Sequence, residues 1–175
     1  EFLNTFEEVN SKCDNMAHYM LSGYMPPRLM YGQEALWRHS ARIEEKRIIV
    51  LQDYATRDMI MLRLMACDVL VFNYMPMSHS SASAALRDGL ASGRPVICTD
   101  SNMFSEFEHG VSVYKIPAQP SRNYATEPLV EAILKLRDDT DMCNTLTRNA
   151  KRYVLNHLPE RIAEKHERLY KGMLQ

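Results

Sequence analysis

The residues best suited to chemistry lie between Asn73 and Gly93. A short apolar run, Asp68 to Asn73, leads to the small-residue series Ser80, Ser81, Ala82, Ser83, and then to Arg87 and Asp88. Small side chains at a helix start let an anion approach backbone N–H groups that lack intrahelical partners and sit at the positive end of the helix dipole. The hydroxyls add donors. Such a series reads either as a phosphate seat built without glycine or as ordinary helix capping. Asp88 follows Ser81 by seven residues, almost two helical turns, so on a helix opening near Ala82 the two share a face. A carboxylate there suits ribose hydroxyls, and Arg87, a planar donor fork, suits a phosphate or an internal ion pair. A solvated helix face is the competing account of both.

Other positions could join the same cleft. Tyr54 follows the strand candidate ending at Gln52, where it could flank a nucleobase or simply form a surface turn. Thr99, with Asp100, Ser101 and Asn102, follows another strand candidate and could line the cleft as a polar loop. The six histidines, His79 included, show no metal-ligand spacing, and an exposed loop is the plainer reading of His79. The twelve methionines recur through apolar stretches and read as core gap-fillers. No metal or other cofactor is expected.

Composition bounds these possibilities. The chain has 175 residues, 46% of them apolar and 25% charged, which suits one globular domain and excludes a disordered or collagen-like chain. A net charge of −1 argues against a nucleic-acid binder built on a basic stripe. No apolar run reaches the roughly 18 residues of a membrane span. Cys13, Cys67, Cys98 and Cys143 are widely spaced without a Cys-x-x-Cys pair, as expected of buried thiols in a reducing compartment. Glycine is scarce, and none stands between Gly32 and Gly89, which sets the chain apart from glycine-rich phosphate loops.

Hydrophobic periodicity predicts the elements that must position these residues. A helix is expected over 1–12, with Phe2, Phe6 and Val9 on one face, then a strand over 17–22 ending at Gly23. A Pro-Pro loop and a helix to about Glu45, with Leu36, Trp37 and Ile43 facing the core, precede a strand over 47–52. Thr56 is placed to cap a helix to Cys67, and Asp58 complements its dipole. Strands over 68–73, 95–99 and 111–116 follow, separated by a helix over 82–92 that Gly93 ends and by a helical turn near Phe104. Two helices run from Thr126 to His157, Pro159 breaks the second, and a charged amphipathic helix closes the chain. Strands alternating with helices predict a doubly wound α/β domain with a parallel sheet of about five strands and helices on both faces. Opening on a helix is unusual for such a domain, so the chain is expected to be a piece of a larger protein, lacking a first strand.

The stretch Cys67-Asp68-Val69 through Asp88-Gly89-Leu90-Ala91-Ser92-Gly93-Arg94-Pro95-Val96 resembles the C-terminal, donor-binding domain of retaining family-four glycosyltransferases of the GT-B fold. In that family a glutamate, seven residues and a second glutamate open Glu-Ala-Met-Ala-Ser-Gly-Lys-Pro-Val. Here Asp88 matches the second glutamate and Ser80 the first, which resembles a subgroup using small residues at the first position. Glu106 stands where the family often carries a glutamate, and 158–175 is similar to its closing helix. The resemblance implies a single domain, 1–175, forming half of a two-domain, cytoplasmic or membrane-peripheral enzyme. That enzyme would transfer a hexose from a nucleotide sugar to a glycan or lipid-linked acceptor held by the other, N-terminal domain. It further implies that Ser80, Ser81, Ala82, Ser83, Arg87, Asp88, Tyr54 and Thr99 surround the donor, that no residue of this half is assigned to catalysis, and that the fragment alone is inactive. A non-catalytic scaffold or an epimerase-like domain are the alternatives.

Overall fold

The computed structural model describes residues 2–13, 19–22, 45, 48–51, 54–74, 82–118 and 127–173. Helix α1 (Phe2–Lys12) and strands β1 (Tyr19–Ser22) and β2 (Ile48–Leu51) come first. They are followed by α2 (Arg57–Met65), β3 (Leu70–Phe72), α3 (Ala84–Ala91) and β4 (Val96–Asp100). A 3-10 turn (Asn102–Phe104), β5 (Tyr114–Pro117), α4 (Glu127–Asp138), α5 (Thr140–Asn156) and α6 (Pro159–Met173) complete the order. The alternation is the expected one, and every strand pair is parallel. The predicted helix ending near Glu45, with Leu36, Trp37 and Ile43, lies outside the described residues, as do Gly23 and Thr126.

Five parallel strands are present, as expected, and the described residues show them in two ladders. Among the described residues β1 pairs only with β2, and β3, β4 and β5 form a separate three-stranded set with β4 in the centre. A parallel ladder needs strands about 4.8 Å apart, and among the described residues no ladder joins β1 to β3.

Side-chain alternation along β4 organises the core. Val96 and Cys98 point to one face, where they join Leu70, Leu86, Leu90, Phe104, Phe107, Val113 and Ala150. Ile97 points to the other, with Ile116, Leu129, Ala132, Leu136 and Leu146. Helix α3 therefore covers one face and α4 the other, while α5 contributes Leu146 to one cluster and Ala150 to its opposite. On α1, Phe6 and Val9 are buried as the spacing predicts, together with Thr5 and Asn10. Helix α6 buries no residue and carries ion pairs at helical spacing, Arg161–Glu164, Arg168–Glu164 and Lys171–Glu167, as a solvated helix does.

Helix ends follow local chemistry. Thr56 Oγ1 accepts from the Met59 amide at 3.3 Å, the expected cap. The helix stops at Met65 rather than Cys67, and the Met65 carbonyl accepts from Arg94 Nε at 3.0 Å and Nη2 at 2.7 Å. Gly93 and Gly110 both have φ near +76°, a left-handed conformation that favours glycine. Gly110 N–H donates to the Val113 carbonyl at 2.9 Å, closing a turn that delays the last strand to Tyr114 instead of Val111.

Helix α3 packs closely on the sheet at Gly89, where the resembling family carries alanine. A Cβ there would lie 2.8 Å and 2.9 Å from Cε2 and Cζ of Phe72. Gly89→Ala sets a helix-propensity gain of about 1 kcal/mol against overpacking of about 1–3 kcal/mol. Urea unfolding should show a net loss of roughly 1 kcal/mol. In a Phe72→Leu background, which removes the ring edge, the same change should become stabilising. An equal loss in both backgrounds would show that the ring is not the cause.

Candidate functional site

The start of α3 is built by Ser83. Its backbone is extended (φ −90°, ψ 110°) and its Oγ accepts from the Leu86 amide at 3.2 Å, an N-cap. The helix thus opens at Ala84, two residues later than expected, and Ala82 and Ser83 are not helical. Ser80, Ser81 and His79 lie outside the described residues. With Leu86 capped, the first-turn amides of Ala84 and Ala85 remain without intrahelical acceptors, and both residues are exposed. The Ser83 hydroxyl accepts from the backbone and keeps its proton for donation.

Asp88 faces α2 across a gap. Arg57 Nη2 stands 3.7 Å from Asp88 Oδ1, and the Asp88 side chain is one-third exposed. This loose ion pair, at the first residue of α2, was not anticipated. Tyr54, three residues before Arg57, is 93% exposed, so its ring is open to solvent between β2 and α2.

Arg87 forms an ion pair with Glu106 and stays half exposed. Its Nη2 donates to Glu106 Oε1 at 2.9 Å and Oε2 at 3.2 Å, and Tyr153 OH donates to Oε2 at 2.6 Å. Burial raises the Glu106 pKa, but the hydrogen bonds from Tyr153 and Arg87, with the Arg87 charge, outweigh it and hold the carboxyl below its ordinary range. Burial first, and then donation to Glu106, pushes the Tyr153 phenol up to about 12.

Thr99, expected to line the cleft, is fully buried, and its hydroxyl is engaged inside the fold. Its Oγ1 donates to the Tyr74 carbonyl at 2.9 Å and accepts from the Tyr74 amide at 3.3 Å, fastening the chain leaving β3 to the end of β4. Asp100 pairs with Lys115 Nζ at 3.0 Å. Among the described residues the next hydroxyl, Ser101 Oγ, is buried without a hydrogen-bond partner. Among the described residues no three His, Cys, Asp or Glu side chains come together as a metal would require. Burial pushes the Cys98 thiol up to about 12, as fits an inert core cysteine. Burial also raises Cys67 and Cys143. A concavity lined by Lys135, Asp138, Asp139, Thr140 and Asp141 lies at the α4–α5 junction, and two of its three acids are engaged. Asp139 caps α5 and pairs with Lys135, and Asp138 pairs with Arg137.

The sequence matches no protein-family profile and no curated protein. Solved structures do match. The C-terminal domain of a glycosyl transferase group 1 family protein (LpcC) from Francisella tularensis superposes with a TM-score of 0.69 at 18% identity, over 89% of this chain and 76% of that one. A glycosyltransferase from Rickettsia africae gives 0.73 at 15% identity, over 98% of this chain and 44% of its own. Anabaena Alr3699/HepE, in complex with UDP and glucose, gives 0.69 at 19% identity, over 94% and 44%. The chain thus spans less than half the length of the last two. At such identities the likeness establishes the fold: a Rossmann-like α/β domain of the kind found as the C-terminal half of GT-B glycosyltransferases.

The Glu106 carboxylate makes stability pH-dependent with a definite sign. A carboxyl whose folded pKa is depressed contributes stability above its unfolded pKa, about 4.3, and loses it as pH falls through the folded value. Wild type should therefore be more stable than Glu106→Gln at pH 7, and urea midpoints should converge as pH falls below about 4. Parallel curves over that range would remove Glu106 from the linkage.

Proposed function

We propose that this chain is the nucleotide-sugar-binding half of a retaining glycosyltransferase, transferring a hexose from a nucleoside-diphosphate sugar to a hydroxyl of a glycan or lipid-linked acceptor. Residues 1–175 form that one domain, with 158–175 as its closing segment and the acceptor bound by a second half of the enzyme. The observation that carries this reading is the start of α3. Two first-turn amides without intrahelical acceptors, Ala84 and Ala85, open a helix preceded in sequence by small residues, in a fold shared with glycosyltransferases, one of them crystallised with UDP. In an open α/β sheet ligands collect outside the carboxyl ends of the strands, and β3 leads into this helix.

Each residue then has a place in the proposal. The α3 amides, the hydroxyls of Ser80, Ser81 and Ser83, and Arg87 take the diphosphate, while Ala82 leaves room for it. Asp88 accepts from the ribose hydroxyls, displacing its loose contact with Arg57, and Tyr54 flanks the base. Thr99 acts indirectly by holding Tyr74. Oriented amides and a cation stabilise the charge that develops on the departing diphosphate, the principal catalytic contribution of this half. With serine at 80 in place of a carboxylate, contacts to the donor sugar fall to backbone groups. The reading calls for no metal or cofactor and places the enzyme in the cytoplasm or at a membrane surface. Among the described residues no helix is long and apolar enough to cross a membrane. The serine at position 80 also favours a second reading, a domain that binds the nucleotide without turnover.

Calorimetry with UDP, GDP and ADP tests the site. One of them should bind, and Asp88→Ala should weaken it about tenfold, near 1.4 kcal/mol. Ala82→Trp, at an exposed position, should abolish binding by filling the approach to the amides. Unchanged affinity in both variants would refute the assignment. Incubating the protein with the matching nucleotide sugar and acceptors then separates the two readings, since a product that keeps the donor's anomeric configuration is expected only from a transferase.

A further inference from the structure

Glu106 is the point where three elements meet. It follows the 3-10 turn at the carboxyl end of β4, and its carboxylate receives Arg87 from α3 and Tyr153 from α5. Tyr153 is itself fixed. The Phe107 ring stands edge-on to it with centroids 5.0 Å apart, the His157 ring stacks on it at 4.0 Å, and His157 Nδ1 lies 2.8 Å from the Tyr153 carbonyl. The phenol therefore sets the orientation of the carboxylate, and the carboxylate sets that of the guanidinium.

The form of the Arg87 contact is what distinguishes it from a structural ion pair. A closed arginine–carboxylate pair commonly uses two nitrogens on two oxygens. Here a single nitrogen, Nη2, serves both oxygens, the Tyr153 hydroxyl also interacts with the guanidinium, and no geometric hydrogen bond from Nε or Nη1 is formed among the described residues. The guanidinium is half exposed, and Arg87 sits four residues after the Ser83 cap, on a helix whose side chains lean toward its amino end.

We propose that Glu106, oriented by Tyr153, is a positioning residue that holds the Arg87 guanidinium with its Nε and Nη1 donors open for the diphosphate of the ligand, a role that rests on the reading of α3 as the diphosphate seat. Holding the long side chain in its bound conformation removes the ordering penalty that a free arginine would bear on binding. The 3-10 turn, α3 and α5 are thereby coupled to one charge.

The test uses whichever of UDP, GDP and ADP binds most tightly, together with its monophosphate, on wild type, Arg87→Ala, Glu106→Ala, Glu106→Gln, Tyr153→Phe and the Arg87→Ala/Glu106→Ala double variant, with thermal midpoints alongside. Diphosphate affinity should fall about tenfold in Arg87→Ala and in Glu106→Ala. It should fall by a smaller factor in Glu106→Gln and Tyr153→Phe, while monophosphate affinity stays near wild type. The double variant should lose no more than Arg87→Ala alone. Unchanged diphosphate affinity in the folded Glu106 and Tyr153 variants would overturn the proposal. So would equal losses for both nucleotides, or additive losses in the double variant. Should Glu106→Ala fail to fold, Glu106→Gln and Tyr153→Phe carry the same comparison. Failure of wild type to bind any of the three diphosphates overturns the reading of the site itself, before any variant is made.

Discussion

Strand β4 is the constraint on which the rest depends. Val96, Ile97, Cys98 and Thr99 are completely buried, and their alternation feeds two separate hydrophobic clusters. A strand covered on both faces cannot be a surface ribbon; it requires helices above and below and parallel neighbours on either edge. Helices α3 and α4 take their places on opposite faces because Val96 and Cys98 point one way and Ile97 the other. A shift of β4 by one residue would exchange the two sets and leave both clusters mismatched.

The candidate site inherits its order from this strand. Thr99, the last buried residue, ties Tyr74 to β4 through both halves of its hydroxyl chemistry, so the chain leaving β3 begins its excursion from a fixed point. Beyond Asp100 the chain turns through Phe104, which is buried in the same cluster as Leu86 and Leu90 of α3. Apolar packing thus sets the height of the loop against the helix, and Glu106 adds a charge-specific tie to Arg87 and Tyr153. Hydrophobic burial is non-directional, whereas the carboxylate contacts fix an orientation. The site draws on both.

Much of the local architecture was legible because it rests on neighbours in sequence. The Thr56 cap, the stop at Gly93, the helical turn near Phe104 and the restart at Pro159 all depend on contacts within a few residues. Their chemistry is the same in any fold. Ser83 shows the limit of that reasoning. A run of serines and alanines supplies several candidate caps, and only the folded chain shows that Ser83 is the one taken, which moves the helix start by two residues. Arg87 shows a second limit, since its two possible partners, phosphate and carboxylate, satisfy the same donor fork.

What the amino-acid sequence by itself determined was the alternation of strands and helices, the parallel class, and the ends of several helices. These follow from periodicity, capping and turn chemistry, which act over one or two turns of chain. Only the tertiary structure decided that β4 lies between β3 and β5, that Thr99 faces inward, and that the Phe72 ring packs against Gly89. It alone joined Glu106 to Tyr153, 47 residues away, and to Arg87. Those outcomes depend on which side chains converge when distant elements pack, and hydropathy patterns carry no record of a partner's distance or direction.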